Sequence, residues 1–205
     1  MQHLGHNLSD LRRRCSLRPY RLSISSSFRV ILECLKAVEG LHTLGYLHRD
    51  LKPSNFAISL KPDDDSIIYM LDYGLCRYYL TKEGAIRPPR SKLGFRGTVR
   101  LFELTTGRLP WKMYGDINIV YELKVKFSPE VLCKALPEGL GSFVEHVRSL
   151  KYEDRPSYKF LLNCLVCILM KIGAVLDYLY DWQVENCGQR FWHWEIPEMN
   201  SNDLP

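Results

Sequence analysis

Apolar side chains at Phe28, Ile31, Leu32, Leu35, Val38 and Leu41 recur at the three-and-four spacing of a single helical face. Ser25, Ser26 and Ser27 stand ahead of them as N-cap residues, and Gly45 stands where a C′ glycine would end a helix. The pattern therefore predicts a helix from these serines to about Leu44, with its apolar face at the centre of the core. The period then changes from that of a helix to that of strands. Phe56-Ala57-Ile58 reads as a short strand, residues 61–65 (Lys-Pro-Asp-Asp-Asp) as a turn, and Ile67 to Leu71 as the partner strand. Further helices are expected over Leu101–Thr106, closed by Gly107, over Asp116–Lys126, over Gly141–Leu150, and from a Ser157 cap to about Met170. Met1 to Arg14 reads as a brief helix or a frayed end, and Asp177 to Trp182 as an aromatic turn. No internal repeat is visible.

Composition narrows this only slightly. With 205 residues, 46% of them hydrophobic and 25% charged, the chain has the make-up of a globular domain. A net charge of +5 is too small to imply a nucleic-acid partner. The apolar run from Phe160 to Met170 is shorter than the roughly 18–20 residues of a membrane span, so no membrane role is expected and the run reads as a core helix. Seven cysteines without a secretory signal suggest reduced thiols in the cytoplasm, with the nucleus as the alternative location. Cys164-x-x-Cys167 lies inside the apolar run with no second ligand pair nearby, and reads as two buried core thiols.

Chemistry concentrates in Tyr46-Leu47-His48-Arg49-Asp50-Leu51-Lys52-Pro53-Ser54-Asn55-Phe56 and in Met70-Leu71-Asp72-Tyr73-Gly74-Leu75. A carboxylate, a lysine and a carboxamide at Asp50, Lys52 and Asn55 suit transfer of a phosphoryl group to a hydroxyl. That reaction depends on positioning and on neutralising charge. Asp50 would orient the hydroxyl and accept its proton, and Lys52 would offset charge on the transferring phosphate. Asn55 and Asp72 offer the hard oxygen ligands that Mg2+ prefers. Gly74 is expected to allow the backbone turn that carries Asp72 inward. Alternatively, the first stretch is a surface charge cluster and Asp-Tyr-Gly a plain turn.

The two stretches match the His-Arg-Asp catalytic loop and Asp-Phe-Gly metal loop of protein kinases. With Arg87-Pro88-Pro89-Arg90, Gly94 to Arg100, Gly107 to Trp111, Val147 to Tyr158 and Tyr180-Asp181-Trp182, the chain resembles the casein kinase 1 superfamily, especially its tau-tubulin kinase-like branch. The resemblance implies serine/threonine phosphorylation of protein substrates with ATP and Mg2+, with Asn55 and Asp72 at the cofactor. Thr98 matches a threonine supporting the catalytic Asp and Lys. Arg100 matches an arginine that binds the anionic group of acidic or pre-phosphorylated substrates. The basic residues Arg87, Arg90, Lys92, Arg96 and Arg100 on one long loop suit such an anion. A merely solvated basic loop is the plainer alternative.

The implied fold is mainly α with a small β-hairpin, a protein-kinase-like large lobe over residues 1–184 and a disordered or loosely docked tail over 185–205. Two departures stand out. The 205 residues contain no glycine-rich loop and no Val-Ala-x-Lys strand ahead of His48, so the small lobe is expected to be absent. Arg100 runs straight into Leu101-Phe102-Glu103-Leu104, where the family has further residues, including the first part of a buried helix under the catalytic loop. An internal segment is therefore expected to be missing, leaving groups behind Asp50 uncovered. Replacing Phe by Tyr73 adds a hydroxyl that needs a partner if buried. Two readings compete: a casein kinase 1-like kinase whose activity in this chain alone is weak or nil, and a non-catalytic lobe binding acidic or phosphorylated partners. A fragment without a stable fold is a third. The sequence leaves the oligomeric state open.

Overall fold

The computed structural model describes residues 3–14, 20–60, 67–88, 103–107, 109, 114–134, 136–174 and 179–183. The tail over 185–205 and most of the basic loop lie outside these residues. The described chain is mostly helical with two small antiparallel sheets, compatible with the kinase-like lobe implied above. In order, it forms β1 (Leu4–Asn7), α1 (Leu8–Arg14), α2 (Ile24–Thr43), β2 (Tyr46–Leu47), β3 (Phe56–Ser59), β4 (Ile68–Met70) and β5 (Arg77–Tyr78). Then follow α3 (Glu103–Thr106), α4 (Ile117–Lys126), α5 (Pro129–Cys133), α6 (Leu140–Ser149) and α7 (Tyr158–Lys171), with single 3-10 turns at Pro53–Asn55, Tyr73–Leu75 and Asp181–Gln183.

Helix α2 is the centre of the core, as its periodicity requires. Phe28, Ile31, Leu35 and Val38 are buried, and α2 packs on α7, β4, β2 and α3. Its start differs from expectation. The cap is Ser23, whose hydroxyl accepts from the Ser26 amide at 3.1 Å, whereas Ser26 and Ser27 are buried in the first turn. What fixes the cap is a residue distant in sequence. The Asp181 carboxylate, 3% exposed, accepts from the Ser23 amide at 2.6 Å and from the Ser23 and Ser26 hydroxyls at 2.7 Å each. A carboxylate at a helix N-terminus also meets the positive end of the helix dipole. Beside it, Tyr180 and Trp182 stack with ring centres 4.4 Å apart and the Arg29 guanidinium lies over Tyr180.

The expected hairpin is present: β3 and β4 pair antiparallel with Phe56 opposite Met70 and Ile58 opposite Ile68. Strand β1 adds to it, giving the order β1-β3-β4. Of the two readings of residues 1–14, a brief helix or a frayed end, the helix is present as α1, capped by Asn7, whose side-chain oxygen accepts from the Asp10 amide at 3.0 Å. The strand before it was hidden by Gly5, a poor strand former. Its value here is close approach, since a Cβ at Gly5 would lie 2.9 Å from Ile58 Cγ1. Arg12 of α1 pairs with Glu103 at 3.2 Å and donates to the Gly107 carbonyl at 2.7 Å, fastening α3 to α1.

The reading of the cysteine pair is corrected. Helix α7 buries Leu161, Leu165, Ile168 and Leu169, and that stripe leaves Cys164 half-buried and Cys167 exposed. Helical geometry puts positions 164 and 167 on the flank of the buried stripe, so apolar neighbours in sequence did not bury them. Ser157 does occupy the cap position of α7, but its side chain makes no cap hydrogen bond. No helix among the described residues is long and apolar enough to cross a membrane.

Candidate active site

Two short ladders bring the candidate loops together. Helix α2 ends at Thr43, and Gly45 turns the chain with φ 82°. Glycine is doubly required there, because a Cβ would fall 2.6 Å from Tyr78 Cε2. Strand β2 then pairs with β5, Leu47 opposite Arg77. On the far side of the site, β3 pairs with β4, and the Leu71 amide continues that ladder to the Asn55 carbonyl at 2.8 Å. Residues 48–55 are thereby held facing 71–76, with Asn55 set beside the residue before Asp72.

Side chains stitch the loops across this gap. His48, 1% exposed, places Nε2 2.8 Å from the Leu71 carbonyl, while its Nδ1 lies 3.3 Å from the Asp50 amide. Nε2 therefore donates to Leu71 and Nδ1 accepts from Asp50, which assigns a neutral ring with its proton on Nε2. Arg49 donates through Nε to the Leu75 carbonyl at 2.5 Å. Both loops carry a non-glycine residue in the left-handed region, Arg49 at φ 67° and Asp72 at φ 59°. Such backbone costs of order 1–2 kcal/mol per residue and persists where surroundings over-determine it. Tyr20, away from the site, is the third such residue among those described.

The expected trio meets. Lys52 Nζ lies 2.5 Å from Asp50 Oδ2, and Asn55 Nδ2 donates to the Asp50 carbonyl at 2.9 Å and to Oδ2 at 3.3 Å. One carboxylate oxygen thus carries a charged and a neutral donor, which fixes the Asp50 rotamer. Asn55, 5% exposed, is locked by Pro53 at the start of its 3-10 turn and by its amide bond to the Lys52 carbonyl at 2.9 Å. Its nitrogen is committed to Asp50, so the amide oxygen is the atom left to meet a cation.

Asp72 is exposed, and its Oδ1 accepts from the Gly74 amide at 3.4 Å. The role expected of Gly74 is corrected: its φ is not in the left-handed region, and Asp72 itself makes the left-handed turn. Glycine is favoured at 74 for space, since a Cβ would sit 3.3 Å from Asp72 Oδ1. Tyr73 is 53% exposed, so its hydroxyl needs no buried partner; its ring lies tilted on His48 with centres 5.7 Å apart. Burial pushes the Tyr73 hydroxyl and the Cys76 thiol upward, the latter in part because of Asp72.

A carboxylate and an amide oxygen on adjacent loops fit Mg2+, which takes one or two protein oxygens and fills its remaining positions with water and phosphate. Among the described residues no cluster of three or more His, Cys, Asp or Glu could hold a metal ion. Thr98, Arg96 and Arg100, with Arg90 and Lys92, lie outside the described residues. Arg87 is described and exposed, and it folds back on its own loop: Nε donates to the Leu80 carbonyl at 2.7 Å and the guanidinium lies 6.0 Å from the Tyr78 ring centre. Behind the loop, a cavity of about 220 Å³ is lined by Leu47, His48, Arg49 and Leu51 but by none of Asp50, Lys52, Asn55 and Asp72. Leu47 and Leu51 are half-buried. Sequence reasoning named His48 and Arg49 only as motif letters; their bonds across to Leu71 and Leu75 depend on strand register, which no local signal announced.

No protein-family model matches this sequence. Over 209 residues the chain is 36% identical to a Dictyostelium discoideum protein named provisionally as a serine/threonine-protein kinase, covering 90% of this chain and 42% of that protein. Over 211 residues it is 28% identical to a Caenorhabditis elegans protein named provisionally as a casein kinase I, covering 89% of this chain and 61% of that protein. The chain thus spans less than two thirds of the length of either relative. Both aligned stretches exceed the chain's own 205 residues while taking in only part of it. Each relative therefore has residues within the aligned stretch that lack a counterpart here. Both relatives are named as kinases, and the similarity supports a protein kinase family for this chain.

Proposed function

We propose that the site belongs to a serine/threonine protein kinase of casein kinase 1-like type, transferring the ATP γ-phosphate to protein hydroxyls. The observation that carries this is the bonded trio of Asp50, Lys52 and Asn55, held by ladder register beside Asp72. Asp50, fixed through one carboxylate oxygen, orients a substrate hydroxyl and takes its proton. Lys52 sets a positive charge beside the phosphate position. Asn55 and Asp72 hold Mg2+, which when bound offsets phosphate charge. Thr98 supports Asp50 and Lys52, and Arg96 and Arg100 receive the anionic group of acidic or pre-phosphorylated substrates, as the resemblance implies. The tau-tubulin kinase-like branch is the closer affinity suggested by the loop motifs.

For the 205 residues by themselves, transfer at or near background is expected, because they include no glycine-rich loop or Val-Ala-x-Lys strand to cover and align the ATP phosphates. The experiment is phosphorylation of casein with magnesium-ATP by this chain and by Asp50→Asn. Transfer that Asp50→Asn abolishes would support the assigned roles and overturn the expectation of weak activity. Transfer that survives in Asp50→Asn would overturn the role of Asp50. With no transfer, the cofactor assignment rests on magnesium-dependent ATP binding, which Asp72→Asn should weaken at least tenfold, the loss of one charged metal ligand.

A further inference from the structure

Helix α7 carries three sulfur side chains at successive three-residue steps, Cys164, Cys167 and Met170. They lie beside or opposite its buried stripe: Cys164 is half-buried, Cys167 exposed and Met170 73% exposed. The helix runs unbroken from Tyr158 to Lys171, so residues three apart share a face with Cβ atoms about 5–6 Å apart. The two thiols are near enough to act on each other: burial pushes the Cys164 thiol up, and Cys167 adds to that rise. A disulfide needs Cβ atoms about 3.5–4.5 Å apart, so a regular helix disfavours joining the pair directly. A bridging ion relaxes that limit. Two thiolate–metal bonds of about 2.3 Å in line span roughly 4.6 Å between sulfurs, which side chains at helical spacing can meet. Long side chains on a helix lean towards its N-terminus, so the Met170 thioether can reach the turn that bears Cys167. Among the described residues no His, Asp or Glu joins the thiols in a cluster of three. The set falls short of the four ligands of a structural Zn2+ and is made of sulfur alone, the donor chemistry that selects Cu(I).

We propose that Cys164, Cys167 and Met170 form a surface site for a soft monovalent cation, Cu(I), held by two thiolates and one thioether. The ion takes the place of both thiol protons, which pass to water, and the copper keeps its oxidation state. The site does not rest on the kinase reading, because binding is measured directly and phosphoryl transfer does not enter.

The probe is Cu(I), supplied without oxygen to the reduced 205-residue chain as its coloured bicinchoninate complex, and transfer is followed as loss of that colour. Cys164→Ser and Cys167→Ser should each lower the affinity about tenfold or more, and Met170→Leu roughly threefold, while Cys133→Ser on α5 should leave it unchanged. X-ray absorption of the copper on the unaltered chain should show sulfur neighbours alone. Copper that stays with the chelator would overturn the proposal, as would full affinity in either serine variant or nitrogen and oxygen neighbours around the ion. An unchanged affinity in Met170→Leu would overturn the three-donor arrangement. The absorption measurement uses the unaltered chain, so it stands even where a variant fails to fold.

Discussion

The front and back of residues 47–56 are built differently. On the front, the bonds of His48, Arg49, Lys52 and Asn55 described above are directed ones, made to the facing loop or to Asp50. On the back, the same stretch shows half-buried Leu47 and Leu51 to a cavity. Directed bonds between neighbouring ladders can set catalytic geometry locally. Apolar cover cannot be set locally, since it needs another element to arrive. Among the described residues, the site is therefore held by directed bonds in front and borders a cavity behind.

His48→Ala breaks the front most severely. It removes a buried ring and leaves the Leu71 carbonyl without its donor, and about 2–4 kcal/mol of stability should be lost. Urea unfolding would show this as a lower midpoint at constant slope, and an unchanged midpoint would mean the loops do not depend on the stitch. Gly45→Ala strikes the turn into the site, forcing a Cβ both into the left-handed region and onto Tyr78. A loss of about 1–3 kcal/mol is expected in thermal melts, with Tyr78 displaced from Tyr46.

Acid acts on the back. His42 has its pKa depressed from 6.5 to about 4, chiefly by burial and then by Arg155. Between those values the unfolded chain binds a proton that the folded ring refuses. Stability from this residue is complete above about pH 6.5 and is lost as pH falls towards 4. After discounting for partial exposure the loss is about 1–2 kcal/mol. His42→Gln should flatten the slope across that window, and an identical slope would place the proton uptake elsewhere. The smallest effect should come from covering the back: Val147→Leu adds apolar surface to the cavity and should raise stability by about 0.5–1 kcal/mol. A destabilised Val147→Leu would show that the space is already closed in solution.

Legibility in the sequence followed the range of the interaction. The buried face of α2, the β3–β4 pair, the closing Gly45 and the trio Asp50, Lys52 and Asn55 rest on contacts a few residues apart, or on one hairpin. Strand β1 was obscured because Gly5 is chosen for space beside Ile58. Cys164 and Cys167 were misplaced because hydropathy was averaged along the run and not around the helix. Gly74 was credited with a turn that Asp72 makes, since a motif letter does not say which residue takes the strained backbone.

By itself the sequence determined helix α2, the β3–β4 pair and the identity of the candidate site residues, because periodicity, turns and motif spacing are local properties; the short β2–β5 ladder on the other side of the site, in a stretch that reads as loop, was not legible in it. Only the tertiary structure decided that Ser23, not the later serines, caps α2. That choice depends on Asp181, 158 residues away. It also decided which partners His48 and Arg49 find, through the register of two ladders, and that residues 47–51 border a cavity. Contacts between distant segments are settled by which surfaces meet in space, and no neighbouring residue in the chain records them.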